Sequence, residues 1–155
     1  MGKVIGYMTT WTTYATWVQG HKRGYVKDGV TFGESEGLRQ ANKEAQKDRR
    51  FVLTKGNREL VKKAILAEAE ILRQRIYAIS ISATHIHIVA GAINELIETA
   101  VARYKRAGTK SLRENGIEGT FWTKGFDKRF CFNEEELRAR IAYVKRQEGY
   151  GGREN

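Results

Sequence analysis

Residues 76–90 constrain the fold more than any other stretch, because they alternate twice with a short break between. Ile76-Tyr77-Ala78-Ile79-Ser80-Ile81-Ser82 would place Tyr77, Ile79 and Ile81 on one face of a strand. Ser82-Ala83-Thr84 is short enough for a tight turn, and Thr84-His85-Ile86-His87-Ile88-Val89-Ala90 then returns as a hairpin partner. On this second strand Ile86 and Ile88 point one way, and His85 and His87 point the other. One face can pack into a core while the other offers two imidazoles, side by side, to a metal ion. Imidazole is the commonest metal ligand among side chains, and a strand holds the pair at a fixed spacing. Two histidines that merely pack on a strand would show the same pattern. The chain has only three histidines in 155 residues, which weighs against chance.

The hairpin is flanked by helical sequence. From Asn57 to Arg75, Leu60, Val61, Ala64, Ile65, Ala67, Ile71 and Leu72 follow helical spacing, with Glu68 out of character among them. Asn94 can cap a second helix that runs to about Asn115, where Gly116 stops it. Ile97, Ala100, Val101, Tyr104, Ala107 and Leu112 gather on one side of that helix. Arg103, Arg106, Lys110 and Arg113 gather on the other, as they would on a helix laid along a phosphate backbone. A solvated face has the same look, so the stripe is read together with other signals.

Residues 3–14 are rich in β-branched and aromatic types and predict a first strand. Glycines and charges between Gly20 and Gly37 predict an irregular excursion, and Leu38–Arg49 a weakly amphipathic helix. Together they form an insertion at about 19–53. Gly119–Phe132 reads as extended, with Phe121, Trp122, Phe126, Phe130 and Phe132 set among Lys124, Lys128 and Arg129. Aromatics of this kind can stack on unpaired bases while the cations hold phosphates. Core packing is an equal reading for Trp122 and Phe130.

A final helix opens with Asn133-Glu134-Glu135-Glu136, a capping box whose acids suit the N-terminal dipole. Leu137, Ile141 and Val144 form its buried stripe. Tyr143 and Gln147 stand one above the other, roughly 90–130° away from that stripe. A tyrosine so placed is presented to something other than the core.

Composition narrows the partners. Twenty-eight Lys and Arg against 18 Asp and Glu give a net charge of +10 and point to a polyanion, of which nucleic acid is the usual one. The single cysteine, Cys131, excludes an internal disulfide and fits a reducing, cytoplasmic setting. No apolar run approaches the roughly 18 residues of a membrane span, and the N-terminus lacks a signal-type stretch. There is no P-loop, no GxGxxG and no CxxC pair. The expectation is one α+β domain over residues 1–155, with a central antiparallel sheet and helices packed on it.

Taken together the motifs resemble the single-tyrosine HUH transposases, and within them the REP-associated tyrosine transposases of prokaryotes. The resemblance rests on Trp11-Thr12-Thr13-Tyr14-Ala15-Thr16-Trp17, His85-Ile86-His87, Phe121-Trp122-Thr123-Lys124-Gly125 and Tyr143-Val144-Lys145-Arg146-Gln147, in that order over nearly the whole chain. It implies a ferredoxin-like, RRM-like sheet and a cytoplasmic, nucleoid-associated enzyme acting on single-stranded or hairpin DNA. It also implies that His85, His87 and Gln147 hold a divalent metal, Mg²⁺ or Mn²⁺, and that Tyr143 is the nucleophile. DNA contacts would come from Arg103, Arg106, Lys110, Arg113, Trp122, Lys124, Lys128, Arg129, Lys145 and Arg146. Two departures stand out: Thr84 precedes the first histidine where relatives often have Asn, and Gly125-Phe126-Asp127-Lys128-Arg129 replaces a Gly-Ser-containing stretch.

The implied chemistry is self-consistent. A phenol, with pKa near 10, is a poor nucleophile until a base or a nearby positive charge helps it ionise. A divalent ion can polarise the scissile phosphate and neutralise developing charge. Attack leaves a 5′-phosphotyrosine and a 3′-hydroxyl, and since the adduct is itself a phosphodiester, rejoining needs no ATP. One tyrosine holds one 5′ end, so handling two ends calls for a homodimer, with the hairpin edge as its meeting surface and the final helix lying against the partner. The alternatives are a non-catalytic nucleic-acid-binding module, or a domesticated transposase, on the same fold. A histidine-triad hydrolase is excluded, because position 89 is Val rather than a third alternating histidine.

Overall fold

The computed structural model describes residues 2–16, 26–27, 30–31 and 50–151. Among the described residues, six strands and three helices follow in chain order: β1 (Gly6–Thr12), β2 (Val26–Lys27), β3 (Val30–Thr31), α1 (Lys55–Leu72), β4 (Ile76–Ile81), β5 (His85–Gly91), α2 (Ile97–Glu114), β6 (Asp127–Cys131) and α3 (Glu134–Gly151). The helix expected over Leu38–Arg49, most of the expected insertion and Trp17 lie outside the described residues.

The main sheet runs β4-β5-β1-β6, antiparallel throughout, and β2 pairs only with β3. Strand, helix, hairpin, helix and strand, with the first strand central, is the ferredoxin-like arrangement expected from the sequence. Helices α1 and α2 cover one face. There Tyr7, Trp11, Ile79, Ile86, Ile88 and Ala90 meet Val61, Ile65 and Ala69 of α1 and Ala100, Val101, Tyr104 and Leu112 of α2. Helix α3 covers part of the other face, where Leu137 and Val144 pack on Met8, Ala78, Val89 and Cys131. Each fully buried Ile or Val contributes about 1.5–3 kcal/mol, so these two layers fix how strands and helices sit. Cys131 is a packing residue, wholly buried in the second layer.

Three local features depart from the sequence expectation. Helix α1 ends at Leu72 rather than Arg75, because Arg73 turns left-handed (φ 56°) and its N–H bonds Glu70 O at 3.1 Å, while Gln74 N–H bonds Ala69 O at 2.9 Å. The turn sends Gln74 inward, where its amide donates to Tyr7 Oη and Gly91 O, both at 2.8 Å, and accepts from Tyr104 Oη. Burial raises the pKa of both phenols, so they remain neutral members of this network. In β4 a bulge falls between Ile76 and Ala78. The extra residue moves Tyr77 off the face it was expected to share with Ile79 and Ile81, onto the α3 side.

Asn94 does not cap α2. Leu96 holds that position without a side-chain bond, and Asn94 lies two residues too early to reach the helical amides. Gly116 does end the helix, at φ 83°, with Ile117 N–H bonded to Leu112 O at 3.0 Å. The capping box of α3 forms between the expected residues, with the return bond one residue earlier than usual. Asn133 Oδ1 accepts from Glu136 N–H at 2.8 Å, and the Glu136 carboxylate reaches back to Phe132 N–H at 2.7 Å.

Candidate active site

The two histidines stand on the α3 side of the sheet, as alternation requires once Ile86 and Ile88 are buried on the other. Their rings stack 9° from parallel with centroids 6.0 Å apart. The β1–β5 register sets Thr10 opposite His87 and Thr12 opposite His85. His87 Nδ1 lies 2.9 Å from the Thr10 hydroxyl, and His85 Nδ1 lies 2.8 Å from that of Thr84. Burial, with the charge of His85 second, lowers the His87 pKa to about 4, so this imidazole is neutral at pH 7. Neutral imidazole is the form that binds metals.

Helix α3 brings the tyrosine. Val144, wholly buried, and Leu137 anchor the helix, which leaves Tyr143 facing sideways with 36% of its surface exposed. Its ring meets His87 edge-on, 87° from parallel at a centroid distance of 5.9 Å. Gln147 follows one turn later and is half-buried. Within the chain α3 packs on its own sheet, and His85, His87 and Tyr143 come together without a second copy. The reason is local, since Leu137, Ile141 and Val144 find their apolar complement in Met8, Ala78 and Val89 of the same chain.

Among the described residues no group of three His, Cys, Asp or Glu surrounds a common point. A cation here would therefore take two imidazoles and a neutral oxygen, and Gln147, one turn beyond Tyr143 on α3, carries the amide that could supply it. Two nitrogens and one amide oxygen, with the remaining positions left to substrate oxygens and water, suit Mn²⁺ or Mg²⁺. With a hydroxyl at each Nδ1, Nε2 is the nitrogen such a cation would meet. The donor set fits.

Other sequence motifs converge next to the histidines. Thr13 bridges to Trp122, Thr123 N–H bonds Thr12 O at 3.0 Å, and the Thr123 hydroxyl donates to Thr13 O at 2.7 Å. Thr13 and Thr16 join through their hydroxyls at 2.7 Å, around Ala15, which is fully buried at φ 69°. Left-handed backbone at a buried alanine is strained, and the hydroxyl contacts hold it in place. Lys105 ties the adjoining segment by bonds to Thr123 O (3.1 Å) and Gly125 O (2.7 Å), and burial lowers its pKa.

The candidate DNA contacts divide between the faces. Trp122 is half-buried, and its indole N–H bonds Lys105 O and Thr109 Oγ1, each at 3.0 Å, so the ring packs on α2 and against Trp11. Lys124, Lys145 and Arg146 are exposed. Register puts Asp127 and Arg129, an ion pair at 3.2 Å, on the histidine side, and Lys128 and Phe130 on the helical side. Lys128 pairs with Glu98 at 3.1 Å and stands 5.6 Å from the centre of the Phe130 ring, itself 41% exposed. Arg103 is bound to Glu68 at 2.6 Å, and this explains the acid that interrupted the apolar stripe of α1. Arg106 and Lys110 line a groove of about 1060 Å³ between α1 and α2, and Arg113 is exposed beside it. That groove lies across the sheet from Tyr143, so the basic stripe and the tyrosine do not meet. Sequence reading missed Thr10, because alternation alone does not reveal which strand lies beside β5 or in what register.

No protein-family model and no curated protein matches the chain. Among solved structures it is similar to a REP-associated tyrosine transposase bound to a REP hairpin, at 11% identity and a TM-score of 0.55, over 98% of this chain and 72% of that one. It is also similar to a transposase candidate from Deinococcus radiodurans R1, at 16% identity and a TM-score of 0.47, over 95% of this chain and 93% of that one. With its antiparallel sheet and three packed helices, the chain has the fold of a REP-associated tyrosine transposase.

Proposed function

We propose that the protein is a transposase-type enzyme that cuts and rejoins single-stranded DNA through a phosphotyrosine. The observation that carries this reading is Tyr143, half-open to solvent and edge-on to His87 at 5.9 Å within one chain. Tyr143 Oη attacks the scissile phosphorus, its proton passes to water, and the bond to the 3′-oxygen breaks. The 3′-oxygen takes a proton and leaves as a hydroxyl, while the 5′-phosphate stays on Tyr143. A later 3′-hydroxyl reverses the sequence, and the phosphodiester count is conserved. His85, His87 and Gln147 would hold Mg²⁺ or Mn²⁺, which when bound supplies positive charge to the phosphate in the transition state. The chain's own contribution is placement: two stacked imidazoles on a strand in the middle of the sheet, that of His87 neutral, and a tyrosine on a helix capped at its start. Exchange of two ends takes two tyrosines, so the active form is a homodimer, and β4, an outer strand of the sheet, offers an edge for it.

A single strand labelled at its 3′ end tests the reading, because that fragment carries the 5′-phosphate. With Mn²⁺ present, label should migrate with the denatured protein. Tight binding with no adduct on any strand of a random pool would favour the non-catalytic module instead.

The charged surface makes a separate expectation. Arg103 is occupied by Glu68, so Arg106, Lys110 and Arg113 are the stripe residues left to meet phosphates. Replacing all three with Gln should reduce the slope of log K against log salt by about 2 for single-stranded DNA, at about 0.7 per contact. An unchanged slope would make the stripe a solvated surface.

A further inference from the structure

We infer that Thr10 is a positioning residue for His87: its hydroxyl oxygen accepts the Nδ1 proton, so that the ring is held as the Nδ1–H tautomer with Nε2 turned toward the metal position. This rests on the metal reading above. The contact is 2.9 Å and joins two strands, and the register that pairs Thr10 with His87 is part of an unbroken ladder from Gly6–Gly91 to Thr12–His85. The hydroxyl therefore cannot drift without disturbing the centre of the sheet. Thr10 is itself half-buried, and with its hydroxyl as acceptor the contact selects the Nδ1–H form over the Nε2–H form that a neutral imidazole favours in water. Thr84, in the turn just before β5, makes a similar contact to the neighbouring His85 at 2.8 Å. One hydroxyl on β1 and one in the β4–β5 turn thus flank two rings that stand nearly parallel, 9° apart. Partners of this kind fix the tautomer and ring orientation of a metal-binding histidine, and their loss costs about 10–100-fold in metal affinity.

Two variants and two readouts test the inference. Thr10→Val keeps the β-branched shape that suits the strand and removes the hydroxyl. Thr10→Ser keeps the acceptor. In the metal-free protein at neutral pH, nitrogen-15 NMR should find His87 protonated at Nδ1 in the wild type and in Thr10→Ser, and shifted toward Nε2–H in Thr10→Val. Titration with Mn²⁺ should then show affinity reduced about 10–100-fold in Thr10→Val and restored in Thr10→Ser. A wild-type His87 found as Nε2–H overturns the inference, and so does a Thr10→Val chain with wild-type Mn²⁺ affinity. A wild type that binds no Mn²⁺ overturns the metal reading instead, and the tautomer measurement then decides the role of Thr10 alone.

Discussion

Tyr143→Phe should bind single-stranded DNA as the wild type does and form no covalent adduct, with cleavage reduced on the order of 10⁴-fold or more. The substitution deletes one oxygen from a ring that is 36% exposed and whose edge-on contact with His87 is made by the ring itself. The packing of α3 depends on Leu137, Ile141 and Val144, all of which remain. Stability should therefore change by no more than about 0.5 kcal/mol, the usual range for a surface change. Binding measured by fluorescence anisotropy and adduct measured on a denaturing gel separate the two effects. An adduct that persists would move the nucleophile to another tyrosine, Tyr150 or Tyr14. Weakened binding would mean that the phenol holds DNA rather than attacking it.

His87→Ala should reduce Mn²⁺ affinity by at least about 100-fold, since a direct ligand matters no less than the partners that orient it, and cleavage should fall with it. The fold should survive. His87 is neutral and half-buried, so its removal strands no charge, and Ile86 and Ile88 keep β5 in the core. Circular dichroism and a thermal melt check the fold, calorimetry the metal, and a labelled strand the cleavage. Equal activity of the wild type in EDTA and in Mn²⁺ would rule out the metal role. The same variant tests how the site is assembled. Because Tyr143 sits beside His87 of its own chain, a mixture of Tyr143→Phe and His87→Ala chains should stay inactive. Recovery of activity on mixing, with subunit exchange demonstrated, would show that α3 crosses to a partner.

Local pattern carried much of the architecture. Alternation in Ile76–Ala90 determined a hairpin and put both histidines on one face, because a strand's period is fixed by its backbone. Helical spacing determined α1, α2 and α3, and the position of Tyr143 off the buried stripe of α3 was legible in the same way. Where the reading slipped, a single residue's conformation overrode the pattern. The left-handed turn at Arg73 cut α1 short, and one extra residue in β4 reversed Tyr77. Neither leaves a mark in hydrophobic periodicity.

The sequence by itself determined which chemistry the chain can offer: two imidazoles a strand repeat apart, a phenol and an amide one helical turn apart, and a surplus of positive charge. Only the tertiary structure decided what stands next to what. It put Tyr143 against His87 in the same chain, gave His87 its threonine from β1, absorbed Trp122 into packing, tied Arg103 to Glu68, and set the remaining basic stripe on the far side of the sheet. The physical reason is that periodicity reports which face of an element is buried. Strand order and register, and the angle at which a helix crosses a sheet, depend instead on how buried surfaces distant in sequence fit each other.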